Sequence, residues 1–289
     1  MLRALLTPQR SAAPVRSAAA RRVAQNTWFE LVPLKNLEAQ LAALPQGARV
    51  TVTCSPVKGI DATLDLCERL IERGLRPTPH IAARLVIDPA HVARIAQRCD
   101  DLGLDEVFVI AGDEEQPAGA YDSAVTFLRD FAAANHGLAR IGVAGYPDGH
   151  VFISQADLHS ALHAKQALIA AAGLDGWVST QMCFDPAVIT TWLKASREAG
   201  LTLPVRIGIP GPIDRTKLLT MGMKVGVGQS LRYLTKNRAG LQRLMTGSSY
   251  DPGRLLDAIG RDLDRFNVTG LHLFTFNQLG VCSTWVQGI

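Results

Sequence analysis

Apolar and polar positions along the chain fall into two alternating patterns. Short runs dense in Val, Ile and Phe, bounded by Gly, Pro or Asp, predict buried parallel strands at 27–33, 49–55, 77–83, 106–112, 140–147, 177–184, 204–210 and 270–277. Between them the apolar residues recur every three to four positions, as in Ile60, Leu64, Leu70 and Ile71, or Val92, Ile95 and Leu102, which predicts amphipathic helices. Asp88-Pro89 and Asp185-Pro186 have the form of a helix N-cap followed by proline at the first helical position. Eight strands in strict alternation with helices predict a single α/β chain folded as a (β/α)8 barrel, and 289 residues suit one such unit. Residues 211–269 must hold more than one helix between the seventh and eighth strands. No internal repeat and no linker marks a second domain.

Composition changes this picture only at the N-terminus. Hydrophobic residues make up 47% of the chain and charged residues 19%, ample for a large core. No apolar run approaches the roughly 18 residues of a membrane span. The formal net charge is +4, but Arg3, Arg10, Arg16, Arg21 and Arg22 all precede the first acid, Glu30; subtracting those five leaves −1 for the remainder. A nearly neutral body lacks the broad basic face that nucleic acid requires. Residues 1–26 are therefore expected to form a basic N-terminal arm, and 27–289 the barrel. The arm's Arg, Ala and Ser content resembles a transit peptide, but the expectation is a cytoplasmic protein with a partly ordered arm. Five cysteines without a CxxC pair predict free, mostly buried thiols. His159 and His163 are spaced i, i+4 but lack a third ligand, so no metal site is expected. Gly226-Val227-Gly228 lacks the rest of a dinucleotide fingerprint.

Active sites of such barrels lie at the C-terminal ends of the strands. Standing there are Glu30 and Pro33, Thr53 and Cys54, His80, Asp113, Tyr146, Thr180 and Gln181, Pro210, and Asn277 with Gln278. Polar groups gathered at one end of apolar strands cost about 1–3 kcal/mol each if buried without a partner, so their convergence predicts a binding cavity.

These positions resemble the methylenetetrahydrofolate reductase family over residues 28–278. The resemblance rests on Trp28-Phe29-Glu30-Leu31-Val32-Pro33, Thr78-Pro79-His80, Ile110-Ala111-Gly112-Asp113, Val143-Ala144-Gly145-Tyr146-Pro147 with His150, Asp157 and Lys165, Thr180-Gln181 with Phe184-Asp185, and His272-Leu273-Phe274-Thr275-Phe276-Asn277, six motifs in strand order. It implies reduction of 5,10-methylenetetrahydrofolate to 5-methyltetrahydrofolate in one-carbon metabolism and methionine biosynthesis, with NADH or NADPH as hydride donor. The methylene bridge must open to an iminium before hydride adds, which needs a proton at N10 from a carboxylic acid in a dry pocket. By resemblance Glu30 is that acid, and Asp113 faces the cationic iminium. The resemblance also places Gln181, Asn277 and Gln278 on the substrate, and Thr53, His80, Tyr146, His150, Asp157 and Lys165 on a FAD cofactor.

Departures from the family pattern gather around that flavin. Ala111 replaces an arginine, Met182 and Cys183 replace aromatics, and Gln278 stands where arginine is common. The expectation is thus a reductase that takes hydride directly from the nicotinamide. The alternatives are another carrier such as a deazaflavin, or a catalytically silent folate-binding barrel serving as an accessory protein. A monomer or a homo-oligomer is equally compatible with the sequence.

Overall fold

The computed structural model describes residues 17–34, 37–134, 137–150, 152–183, 185–212 and 252–289. Eight strands, β1 (Thr27–Leu31), β2 (Arg49–Val52), β3 (Arg76–Ala82), β4 (Glu106–Ile110), β5 (Arg140–Gly145), β6 (Asp175–Thr180), β7 (Val205–Pro210) and β8 (Val268–Phe274), pair in parallel and in chain order, and β8 closes on β1. This is the expected (β/α)8 barrel. The outer helices described are α1 (Ala18–Gln25), α2 (Leu37–Leu41), α3 (Gly59–Glu72), α4 (Pro89–Asp101), α5 (Ala124–Phe131), α6 (Gln155–Ala171), α7 (Pro186–Glu198), α8 (Pro252–Ile259), α9 (Asp262–Arg265) and α10 (Leu279–Gln287). None of them is long and apolar enough to cross a membrane. Helices α8 and α9 lie in the 211–269 segment as expected; Gly226-Val227-Gly228 and Phe184 lie outside the described residues.

Local chemistry sets the helix starts. Asp88 accepts a hydrogen bond from the His91 N–H at 2.7 Å and Asp185 from the Ala187 N–H at 2.9 Å, each followed by proline, which has no N–H to leave unsatisfied. One face of each helix, such as Ile60, Leu64, Cys67 and Leu70 of α3, is buried against the strands' outer side chains. All five cysteines are free, and Cys67, Cys99, Cys183 and Cys282 are buried.

The described part of the expected N-terminal arm, residues 17–26, is ordered. Ser17 caps α1 through the Ala20 N–H, and Ala20, Val23 and Ala24 are buried against β8 and α8–α10. Residues 17–26 therefore belong to the barrel body. Three small apolar residues at i, i+3 and i+4 are enough to seat a helix whose other face is arginine and glutamine.

Several strands stop earlier at their C-terminal ends than the apolar runs suggest. After β4, Gly112 takes φ +94°, a left-handed conformation that favours glycine. After β8, Phe276 and Asn277 take φ of +49° and +54°, which turns the chain out of the ladder.

Side chains of alternate strand residues fill the interior in layers. At the floor, the N-terminal end, the Arg206 guanidinium makes two 2.9 Å bonds to Glu106 and lies between the rings of Trp28 and Trp177, 3.4 and 3.9 Å from their centroids. Gly142 makes room beside it, since a Cβ there would lie 2.2 Å from Trp177. The floor is closed by a packed, internally bonded layer.

Candidate active site

The layer above the floor carries different chemistry. Glu30 is the fourth residue of β1 and His272 the fifth of β8, and their side chains meet: His272 Nε2 lies 3.1 Å from Glu30 Oε2. On the other side of the ring, Ser179 Oγ of β6 lies 2.8 Å from His272 Nδ1, and Thr51 Oγ1 of β2 lies 3.5 Å from Nε2. If Ser179 donates to Nδ1, the Nε2–H is left to donate to the Glu30 carboxylate. Glu30 is only 9% exposed, and its backbone carbonyl accepts from Thr275 Oγ1.

His80, fifth in β3, completes this layer. Its ring packs edge-on to Phe108 at 4.9 Å and stands 5.8 Å from the His272 ring. Its Nε2 is buried and has no hydrogen-bond partner among the described residues. Burial, with repulsion from His272 second, holds the His80 imidazolium pKa well below 6.5, so the ring is neutral.

At the rim, Asp113, Tyr146 and His150 form a second group. Asp113 follows Gly112 and is exposed. Burial and then the Asp113 charge push the Tyr146 phenol up to about 12, while burial lowers His150 and Asp113 pulls it back. The Tyr146 and His150 rings meet edge to face at 5.4 Å. Gln181 joins them through the backbone: its N–H donates to the Gly145 carbonyl at 2.8 Å, and its side-chain oxygen accepts from the Met182 N–H. Its NH2 group has no partner among the described residues. Thr53 is half-buried just past β2, with its N–H on the Leu31 carbonyl.

Three expected site residues are occupied elsewhere. Asn277 is 1% exposed and clamps Val32, accepting from its N–H at 3.0 Å and donating to its carbonyl at 2.8 Å, so its amide groups engage the backbone. Asp157 sits in the exposed first turn of α6, bonded to the Ser154 hydroxyl at 2.7 Å, as a helix-capping partner. Lys165 is buried, its ammonium donating to the Ala144 carbonyl at 3.1 Å, and burial lowers it to about 8. Gln278 is the residue before α10, with its N–H on the Thr275 carbonyl. The sequence reading names neither His272 as the partner of Glu30 nor Ser179 as the partner of His272, although His272 opens one quoted motif and Ser179 precedes another.

A family model described as methylenetetrahydrofolate reductase matches residues 34–283. That span begins just after β1, so the place of Glu30 rests on the pairing of β1 with β2 and β8. Among solved structures, the chain is similar to a protein of Burkholderia cenocepacia J2315 described as a phosphonomutase, with TM-score 0.46, 14% identity, and coverage of 93% of this chain and 94% of that one. It is also similar to the arginine decarboxylase of Paramecium bursaria Chlorella virus bound to agmatine, with TM-score 0.47, 11% identity, and coverage of 89% and 59%. Likenesses at this level carry no argument about chemistry.

Proposed function

The chain belongs to the methylenetetrahydrofolate reductase family, and from that premise we propose that it reduces 5,10-methylenetetrahydrofolate to 5-methyltetrahydrofolate, with Glu30 as the general acid and NADH or NADPH as the direct hydride donor. The observation that carries this reading is the buried Glu30–His272 pair at 3.1 Å, a carboxyl group in a dry interior with one polar neighbour able to receive or return a proton.

The residues supply the steps in order. Protonated Glu30 delivers its proton to N10 as the bridging C–N10 bond breaks, leaving the carbon joined to N5 as an iminium. The Glu30 carboxylate that results accepts the Nε2–H of His272, whose ring is steadied through Nδ1 by Ser179. Asp113 places negative charge at the rim, where it stabilises the iminium cation. The nicotinamide, when bound, supplies the hydride that completes the methyl group. Gln181, with its NH2 group uncommitted, is the polar contact offered to the pterin.

A bound flavin fits these residues poorly. Ala111 offers no cation, the Lys165 ammonium is committed to Ala144, and Asp157 is engaged with Ser154 at the start of α6. Direct transfer needs both substrates bound at once, and such pre-orientation supplies several kcal/mol of a barrier. Steady-state kinetics test this. Intersecting double-reciprocal lines from a colourless protein are expected; parallel lines with stoichiometric FAD would refute direct transfer. Glu30→Gln should lower turnover by about 10²–10⁴-fold with the fold intact, the usual worth of a general acid. A variant keeping more than half of the turnover removes Glu30 from the role.

A further inference from the structure

We propose that Glu30, His80 and His272 form a binding site for one divalent transition-metal ion of the zinc class, which competes with the proton Glu30 must carry. The binding stands on geometry alone; the competition rests on the function proposed above.

One ligand atom from each of the three side chains can be chosen so that all lie within 4.8 Å of one another. Zinc bonds of about 2.0–2.2 Å put neighbouring ligand atoms ~3.5 Å apart, so the widest pair has to close by roughly 1 Å, within reach of small side-chain rotations. The three residues come from β1, β3 and β8, and the barrel holds their backbones rigidly. Two imidazoles and one carboxylate suit zinc, cobalt or iron, whereas calcium and magnesium take oxygen ligands.

Two further observations point to a ligand. The His80 Nε2 is a buried nitrogen with no partner among the described residues. His272 has the outer partner that metal-bound histidines use: its Nδ1–H can donate to Ser179 Oγ, leaving the Nε2 lone pair for the ion. Three protein ligands leave a fourth position open. Binding would replace the Glu30–His272 hydrogen bond with two metal–ligand bonds, and a metal-bound Glu30 has no proton to give. The pair on α6, His159 and His163, with ring centroids 4.4 Å apart, has no third ligand among the described residues and serves as the control.

The test uses full-length chelator-treated protein titrated with Co2+ as the spectroscopic probe and with Zn2+ in competition. One Co2+ per chain is expected, with the intense visible band of low-coordinate cobalt that Zn2+ abolishes. His80→Ala and His272→Ala should each weaken binding by more than about 10²-fold, since outer partners alone are worth about 10–100-fold. The double variant His159→Ala/His163→Ala should bind as wild type. Should either alanine variant not fold, His80→Gln takes its place, and the wild-type titration decides by itself. No stoichiometric Co2+ band in the wild type, or a band lost with the α6 pair, overturns the site. Turnover should fall in proportion to Zn2+ occupancy. Full turnover at full occupancy would leave the site standing and overturn both the competition and the acid role of Glu30.

Discussion

Replacing Glu106 with Gln tests whether the barrel floor is a structural plug. Glu106 Oε1 accepts from Arg206 at 2.9 Å and from Thr78 and Trp28 at 2.8 Å each, while Oε2 accepts from Arg206 at 2.9 Å and lies 3.3 Å from Arg140 Nε. The side chains of Glu106 and Arg206 are 7% and 6% exposed, so solvent has little access to the pair. Burial works against the Glu106 charge, but the bonds and charge of Arg206, then Thr78 and Arg140, outweigh it and hold the carboxyl below 4.5. Glutamine keeps an acceptor for Trp28 and Thr78 but turns an NH2 group on a guanidinium that has nowhere else to discharge. Breaking a buried pair from one side costs about 3–5 kcal/mol. Glu106→Met/Arg206→Met removes both charges and should cost less, ~1–3 kcal/mol, mainly the orphaned Trp28 N–H and Thr78 hydroxyl. Urea unfolding with linear extrapolation measures each cost, and turnover of the folded single variant should stay within a few-fold of wild type. A single variant costing under about 1 kcal/mol, or a double variant costing as much as the single one, would falsify this account of the floor.

Three more outcomes follow from particular contacts. The Lys165 ammonium is lowered from 10.5 to about 8 by burial, so above pH 8 the folded chain sheds a proton that the unfolded chain keeps until 10.5. Its contribution to stability should therefore rise across that window by up to ~3 kcal/mol, and the gap between wild type and Lys165→Met, followed by urea unfolding at several pH values, should change by that amount. A constant gap refutes it. Asn277→Ala removes both bonds to Val32 and leaves alanine at a left-handed φ, for a loss of ~2–3 kcal/mol in thermal or urea unfolding. Unchanged stability with a raised folate KM would return Asn277 to the substrate. Val23→Asp puts a carboxylate at a fully buried position of α1 and should cost more than ~3 kcal/mol by the same measurement, whereas a neutral result would detach α1 from the core.

How far the sequence could be read depended on how local each signal was. Runs such as Val107-Phe108-Val109 are buried on both faces of a parallel strand and declare it without help from elsewhere. Their ends were less legible, because Gly112, Phe276 and Asn277 leave the ladder through backbone conformation and not through a change in hydrophobicity. The strand pattern places Glu30 at the end of β1, and its role as an acid comes only from the motif. Its partner His272 is 242 residues away, and nothing in the spacing shows that β8 closes on β1 in the register that joins them. The same distance hid the engagement of Asn277 with Val32. Helix α1 was overlooked because alanine and valine carry its buried face, so low apolar bulk read as an arm. At the floor, Glu106 and Arg206 stand near the starts of two strands far apart in the chain, and only the curvature of the barrel brings β4 and β7 face to face.

The two acids inside this barrel show how one architecture separates stability from chemistry. Each stands on a strand facing a nitrogen base on another strand, and each is buried. Glu106 has five polar atoms of four residues around its two oxygens, and its charge is matched by a guanidinium that does not release a proton at ordinary pH. Moving a proton onto it would break several bonds at once, so it is fixed as an anion. Glu30 has one strong side-chain partner, a histidine that can hold or return a proton, with an unpartnered imidazole beside it. That sparse bonding leaves room for a ligand. The proposed function assigns proton transfer to the under-coordinated acid in the layer nearer the mouth, while the saturated one on the floor gives rigidity.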